Sequence, residues 1–414
     1  MLPEEPEVDK LSDADTLLAL RGVRICVIYD CLFPMTVGGA ERWYRDLSDA
    51  FVAAGADVTY LTRRQWTGSL ERQARMSVIP VSGPAEIYDH AGTRRLGPTL
   101  LFGWGVFRYL IRRRSAFDIV HLANFPFFPL LAVRLALAGT RTRVTVDWIE
   151  VWSAHYWRGY AGSVLGTIGF AMQRLCIALT TTSFVFASWN ARQLIEAGVR
   201  RPPIVLAGLL PAEDKAVQAL SGPLTPPVVL FAGRHIRDKG IDLLPDILAA
   251  ARLQVTDLTM TVAGDGPCRV ALELEFAKRG LAEAVRFVGF VSEERFTELL
   301  ASAACLVMPS RREGYGMLAV EAAAYGTPTI VAGFPENSAA EHIKCGLNGF
   351  VVRPPTVEGL AEAVVEALRR DASLRQSTAS WYLERAEAMT ISHSVAQVIA
   401  AHSTAMRIRR TTGF

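Results

Sequence analysis

No stretch of this sequence holds the ~18 uninterrupted apolar residues that a membrane-spanning helix requires. The nearest candidates are broken by Arg134 and by Gln173 and Arg174. Cysteine is scarce. The six are Cys26, Cys31, Cys176, Cys268, Cys305 and Cys345; none forms a C-x-x-C pair, and most sit in apolar runs. A zinc site needs clustered ligands and a disulfide scaffold needs dense cysteine, so both classes fall away and buried reduced thiols are expected. An excess of one charge is lacking too. Lys plus Arg number 44 and Asp plus Glu 41, a net +3, which is too balanced for a dedicated nucleic-acid binder. The 32 Gly and 21 Pro in 414 residues exclude collagen-like and low-complexity chains. With 50% apolar and 21% charged residues, the chain has enough core material to exclude general disorder. The first fifteen residues are acidic and polar, unlike a signal peptide, so a cytoplasmic protein is expected.

What is present is rhythm. Short β-branched runs at 23–29, 58–61, 76–81, 118–122, 143–147, 184–187 and 204–206 alternate with helical spacing. In 40–54, for example, Trp43, Leu47, Ala50 and Phe51 recur at three- and four-residue steps. The segment 210–227 carries four Pro and no strand pattern, and reads as a linker. A second series of runs then follows at 228–232, 259–263, 285–288, 305–308, 329–332 and 350–352. Strand–helix alternation means parallel sheets with helices on both faces. The expected class is α/β, with two Rossmann-like parallel-sheet domains facing a central cleft. The expected parts are a flexible N-terminus 1–20, a domain at 21–209, the linker 210–227, a second domain at 228–385, and a helical tail 386–414 that packs back on the first domain. Open α/β sheets bind ligands at the carboxyl ends of their strands.

The chemistry-bearing residues cluster at those ends. Gly38 and Gly39 (TVGGAER, 36–42) follow the first strand and open a helix, a favourable place for an anion. No G-x-G-x-x-G occurs there, so a nicotinamide cofactor is not supported. The second series opens with FAGRHIRDKGID (231–242), where Gly233 and Gly240 flank Arg234 and Lys239. Two fixed cations past a strand end can clamp a diphosphate and offset the charge of a leaving phosphate. Gly264 lies in the next strand-end turn, GDGP (264–267), where Asp265 either stabilises the turn or meets a ligand. The stretch MPSRREGYGMLAVEAAAYGTP (308–328) puts Glu313 and Gly314 in a loop and starts a helix near Met317. Glu321 follows inside that helix. A loop carboxylate can accept hydroxyls of a hexose, helix-start amides near Gly316 to Leu318 can hold a phosphate, and a helical carboxylate can accept both hydroxyls of a ribose.

In its second half this chain resembles retaining glycosyltransferases of the GT-B fold, family 4 (glycosyl transferases group 1). The matching stretches are G-R-x-x-x-x-K-G at 233–240, G-D-G-P at 264–267, P-S-x-x-E-G-Y-G-M at 309–317, the E-x7-E pair ending at Glu321, A-x-G-T-P at 324–328 and N-G-F-V-V at 348–352. In the first half, G-G-A-E-R matches the family's glycine loop. The resemblance implies a nucleoside diphosphate sugar donor, UDP- or GDP-linked, and a hydroxyl-bearing acceptor, with no metal ion and no cofactor. Arg234 and Lys239 would bind the diphosphate, Glu313 the hexose and Glu321 the ribose. Gly38, Gly39, Gly233, Gly264, Gly314, Tyr315, Gly316, Met317 and Leu318 complete the expected donor surface. No D-x-D lies in a suitable loop, in keeping with metal independence.

One departure stands out. Many members carry a His after the strand at 143–146, where this chain has Asp147. Asp147 or Glu150 would then orient or deprotonate an acceptor hydroxyl, with His121 a competing acceptor contact and Trp148 and Trp152 an aromatic wall. Loop-holding and core-packing roles for these residues stay open. A nucleotide-sugar 2-epimerase and a non-catalytic nucleotide-sugar-binding partner subunit remain as alternatives. The segment 100–114 mixes Phe102, Trp104, Phe107, Tyr109 and Ile111 with Arg108 and Arg112 to Arg114. It reads either as a helix on a sheet with a solvated basic end or as peripheral contact with the inner face of the membrane.

Overall fold

The computed structural model describes residues 19–36, 38–68, 75–87, 94–210 and 225–412; for 407–412 only the backbone is described. Most of the expected N-terminal segment, and residues 211–224 of the expected linker, lie outside the described residues. In chain order the first series comprises β1 (Arg24–Ile28), α1 (Gly39–Ala53), β2 (Asp57–Arg63), β3 (Met76–Ser82), α2 (Leu96–Ile111), β4 (Ile119–Ala123), α3 (Phe127–Ala136), β5 (Arg143–Trp148), α4 (Ala154–Ala161), α5 (Ser163–Leu179), β6 (Ser183–Val185), α6 (Ser188–Glu196) and β7 (Ile204–Val205). The second comprises β8 (Val228–Ala232), α7 (Leu244–Arg252), β9 (Thr259–Ala263), α8 (Arg269–Lys278), β10 (Val285–Gly289), α9 (Glu293–Ser302), β11 (Cys305–Met308), α10 (Met317–Ala324), β12 (Thr329–Ala332), β13 (Gly349–Val352) and α11 (Val357–Leu383). A last helix, α12 (Ile391–Thr412), closes the chain. Contacts divide these into two compact units, Met1–Leu209 together with Thr390–Phe414, and Leu210–Met389.

In the first unit seven parallel strands run in the order β3-β2-β1-β4-β5-β6-β7. Successive side chains of a strand face opposite sides of the sheet, so each strand feeds two layers. Cys26, Ile28, Val120, Leu122, Val144 and Val146 enter the layer packed by Phe102 and Val106 of α2, Leu130 and Val133 of α3, and Cys176 and Ile177 of α5. The opposite parity carries Val27, His121 and Thr145, aligned by register across β1, β4 and β5. That second layer is covered by α1 and α12. Ring pairs join Phe51 of α1 and His402 of α12 at 5.6 Å, and His121 and His402 at 5.6 Å. Ser394 Oγ on α12 also accepts the Gly208 N–H at 2.9 Å.

In the second unit six parallel strands run in the order β10-β9-β8-β11-β12-β13. The same parity rule splits its core. Val229, Phe231, Val307 and Ile330 meet Ile247, Leu248, Leu360 and Val364, whereas Leu230, Leu306 and Val331 meet Leu299, Leu300, Ala319 and Ala322. Both strand orders reverse direction once, between β1 and β4 and between β8 and β11. At such a reversal the connections on either side run to opposite faces of the sheet, and open α/β sheets bind ligands outside the carboxyl ends of the strands there.

Candidate functional site

At the reversal of the second unit, two loops meet. The loop after β8 carries Arg234 and a short 3-10 turn, Arg237–Lys239; the loop after β11 runs through Ser310 to Glu313. Lys239 Nζ donates to Glu313 Oε1 at 2.7 Å, and the Ser310 hydroxyl donates to the same oxygen at 2.8 Å. The pair is only partly wet, with side-chain exposures of 28% for Lys239 and 12% for Glu313. Among the described residues no partner binds Glu313 Oε2.

Backbone geometry explains why the loops can meet. Gly240 has φ +66°, and a Cβ there would drive into the Pro309 carbonyl, so the first loop lies directly on the second. Arg311 ties them further. Its fork bonds both Asp242 carboxylate oxygens, at 2.8 and 2.7 Å, and its N–H donates to the Asp238 carbonyl at 2.8 Å. The Arg311 guanidinium holds the Asp242 carboxyl below its usual range. On the far side of Glu313, its N–H donates to Glu336 O at 3.0 Å and its carbonyl accepts Ser338 N–H at 3.1 Å. Asn337 anchors that segment with its side-chain amide, donating to Ser310 O and Ala332 O, both at 2.9 Å.

Gly316 caps α10 with φ +90°, and a Cβ there would overlap Ala339. The first-turn amides after it, Met317 and Leu318, have no partner within the helix by construction. Gly314 and Tyr315 complete the loop. Tyr315 is buried, packs edge-on to His342 with centroids 4.5 Å apart, and offers its carbonyl to His342 Nε2 at 3.0 Å. Burial lowers the His342 pKa to about 4, so its ring is neutral at pH 7 and Nε2–H donates. Glu321 is the fifth residue of α10 and half-buried. Gly233 and Gly264 lie just past β8 and β9; Gly233 N–H donates to Ala263 O at 3.1 Å. Arg234 is exposed beside them. Asp265 serves its own turn, accepting the Gly266 N–H at 2.7 Å and Arg269 at 3.3 Å.

The first unit corrects several expectations. Asp147 has the parity of Thr145, so it points under α1 and is fully buried. Its Oδ2 accepts the Trp43 indole N–H at 2.8 Å, and its Oδ1 lies 2.9 Å from His121 Nε2. His121 is equally buried, with Nδ1 3.0 Å from Thr145 Oγ1 and 3.3 Å from His402 Nε2. Burial beside His121 and Arg143 pushes the His402 pKa well below the ordinary histidine value. Trp148 has the other parity and is fully buried near Phe127. None of the three presents a surface to an acceptor; they are core residues.

Glu150 and Trp152 sit beyond the end of β5. The Trp152 indole donates to Glu150 Oε2 at 2.8 Å, and Asn124 Nδ2 holds the Glu150 carbonyl at 3.2 Å. Trp152 gathers Phe125, Tyr156, Trp157 and Tyr160, with ring centroids 4.6 to 5.6 Å away. Gly38 is the N-cap of α1 with extended φ of −171°, a conformation open to any residue. A Cβ at Gly38 would overlap the Glu41 carboxylate, which sits where an anion at this helix start was expected.

Sequence reasoning missed Ser310, Asn337 and His342. Ser310 was visible, three residues before Glu313 inside a matched motif. Asn337 and His342 act across loops and leave no local spacing signal.

These features define a pair of Rossmann-like α/β units, the second with a cation–carboxylate pair at its strand reversal. The comparisons refine the class. The family Glycosyl transferases group 1 matches residues 213–380, and the Glycosyl transferase 4-like domain matches residues 38–209. The chain belongs to the group 1 glycosyltransferases, with the GT-B fold. It is 32% identical over 153 residues to alpha-D-kanosaminyltransferase of Streptomyces kanamyceticus, covering 37% of this chain and 39% of that protein. It is 27% identical over 398 residues to a glycogen synthase of Mycobacterium tuberculosis, covering 89% and 92%. The chain thus spans about two fifths of the former and nearly all of the latter. Among solved structures it is similar to a sucrose-phosphate synthase from Thermosynechococcus elongatus, with TM-score 0.73, 17% identity, and coverage of 95% and 100%. It is also similar to Anabaena Alr3699/HepE in complex with UDP and glucose, with TM-score 0.67, 16% identity, and coverage of 92% and 100%. At such identities the structural likeness concerns the fold.

Proposed function

We propose that the protein is a retaining glycosyltransferase that moves a hexosyl group from a nucleoside diphosphate sugar to a hydroxyl-bearing acceptor without a metal ion. The observation that carries this reading is the 2.7 Å Lys239–Glu313 pair at the reversal between β8 and β11. In the reading, Arg234 and Lys239 hold the diphosphate and offset the charge that grows on it as the glycosidic bond breaks. The first-turn amides of α10 add partial positive charge to the same end. Glu313, with Oε1 fixed by Lys239 and Ser310, offers Oε2 to a hexose hydroxyl. Glu321 accepts the ribose hydroxyls. The departing phosphate helps deprotonate the acceptor, which removes the need for a strong side-chain base. Binding of UDP and glucose by the Anabaena neighbour supports a nucleotide-sugar donor. With Asp147 in the core, Glu150 and Trp152 remain as the acceptor-side candidates.

Slow hydrolysis of UDP-, GDP- and ADP-sugars tests the reading. The wild type is expected to release free sugar from one of them. Glu313→Gln and Lys239→Ala should each lower that rate on the order of 100-fold. Binding without turnover on any donor, or full rates in both variants, would sink it. A thermal-shift series finds the donor first: ligand at about 100 times Kd stabilises by about 2.7 kcal/mol.

A further inference from the structure

Helix α2 has two faces of different character. Phe102, Gly103, Val106 and Leu110 are buried, and Gly103 lies against Phe128. On the opposite side, Leu100, Leu101 and Trp104 stand 49, 62 and 58% exposed. Leu101, Trp104, Arg108 and Arg112 follow one another at steps of three and four, so they share one stripe along the helix. Phe107 stacks on Trp104 with centroids 5.5 Å apart. The Arg113 guanidinium lies 4.2 Å from the Tyr109 ring centroid. Beside this stripe the edge strand β3 leaves a groove lined by Pro80, Val81, Trp104, Arg108, Arg112 and Arg113. Among the described residues no carboxylate pairs with Arg108, Arg112 or Arg113, and no acidic residue interrupts 96–114.

We infer that this stripe and groove dock the protein on an anionic lipid surface. A solvated leucine pair and an indole would cost free energy in water, and no part of the described chain covers them. An indole suits the interfacial zone, where its apolar body is buried and its N–H stays wet. Three arginines without counter-ions on the same side complement negatively charged headgroups. An apolar patch graded into a basic one is the pattern of a helix lying in a membrane interface. The helix does not span the bilayer: among the described residues no helix is long and apolar enough to do so. The inference stands independently of the sugar-transfer reading.

The test is flotation of the full chain with vesicles of phosphatidylcholine alone and of phosphatidylcholine with 30 mol% phosphatidylglycerol (about one lipid in three). Binding is expected to the anionic vesicles and to weaken as salt is raised, because the attraction is screened. Each arginine near such a surface contributes about 5-fold, so R108Q/R112Q/R113Q should lower partitioning on the order of 100-fold. Trp104→Ala should lower it several-fold without changing the salt dependence. Circular dichroism and thermal unfolding check that both variants are folded; Trp104→Gln replaces an unfolded Trp104→Ala, and the single Arg108→Gln, with an expected loss of about 5-fold, replaces an unfolded triple variant. Wild-type protein that stays with the soluble fraction, or variants that float as well as the wild type, would overturn the proposal. So would a concentration-dependent dimer that the same substitutions dissolve, since the face would then belong to a second copy.

Discussion

Lys239 and Glu313 are 74 positions apart in sequence, yet share a 2.7 Å contact because the strands before their loops are neighbours. Ser310 is the third member of the group. A hydrogen bond from a neutral hydroxyl to a charged carboxylate contributes about 1.5 kcal/mol or more. Ser310→Ala should therefore weaken donor binding roughly 10-fold while leaving the fold intact, as isothermal titration would measure. Asp147 gives the opposite expectation. Asp147→Ala strands the Trp43 indole in the core and should cost about 1 to 3 kcal/mol of stability, read from chemical denaturation. Donor hydrolysis at temperatures where the variant stays folded should be nearly unchanged. The sequence shows why these two residues were unequally legible. Glu313 sits in a loop rich in glycine, where a carboxylate has little structural reason to be. Asp147 lies near the end of a strand buried on both faces, and its parity decides which of the two covered layers it enters. Parity can be counted from Thr145, but the polar layer it leads to is completed by α12, more than two hundred residues away.

The strands were readable because they are buried on both faces, which leaves nearly continuous β-branched runs. Cys305–Met308 and Thr329–Ala332 are entirely buried. Loop-to-helix junctions were readable in part. The glycine before Met317 predicted a helix start, but its contact with Ala339, across the turn after β12, has no sequence signal. Gly316→Ala must adopt a left-handed backbone and displace Ala339. It should cost roughly 1 to 3 kcal/mol from backbone strain alone, and weaken nucleotide binding along with it. Differential scanning with and without nucleotide would separate the two effects. His342 reports on the same turn through pH. Its folded pKa of about 4 lies below the ordinary 6.5, so the neutral ring is favoured by folding. That contribution is fully present above pH 6.5 and is lost as pH falls towards 4. Two and a half units correspond to about 3 kcal/mol. Urea titrations at pH 7 and pH 4 should show the wild type losing about that much more than His342→Gln; equal losses would contradict the burial argument.

At the scale of the whole chain, α12 is an influential element: the expected helical tail groups with the first unit. Its buried Ile391, Val395, Val398 and Ile399 recur at helical steps, but buried His402, Ser394 and Ser403 interrupt and extend that short stripe with polar side chains. Removal of residues 390–414 would bare Phe51, His121 and Phe184 at once. The truncated protein should show faster hydrogen exchange in β1, β4 and β5, while amides of β8 to β12 keep their protection; equal protection in both units would contradict the role given to α12. The same arrangement shapes the protein's birth on the ribosome. Residues Leu210–Met389 form one unit from a continuous segment, whereas the other unit needs both ends of the chain. Synthesis at about 5 to 20 residues per second takes roughly ten to forty seconds to pass through the 180 residues from 210 to 389. Throughout that interval the first sheet waits with one helix-covered face incomplete, its polar row of His121, Thr145 and Asp147 lacking the final lid. The part of the protein begun first is therefore finished last. The nascent chain's exposure to chaperones and misfolding is concentrated in the first unit, not the second.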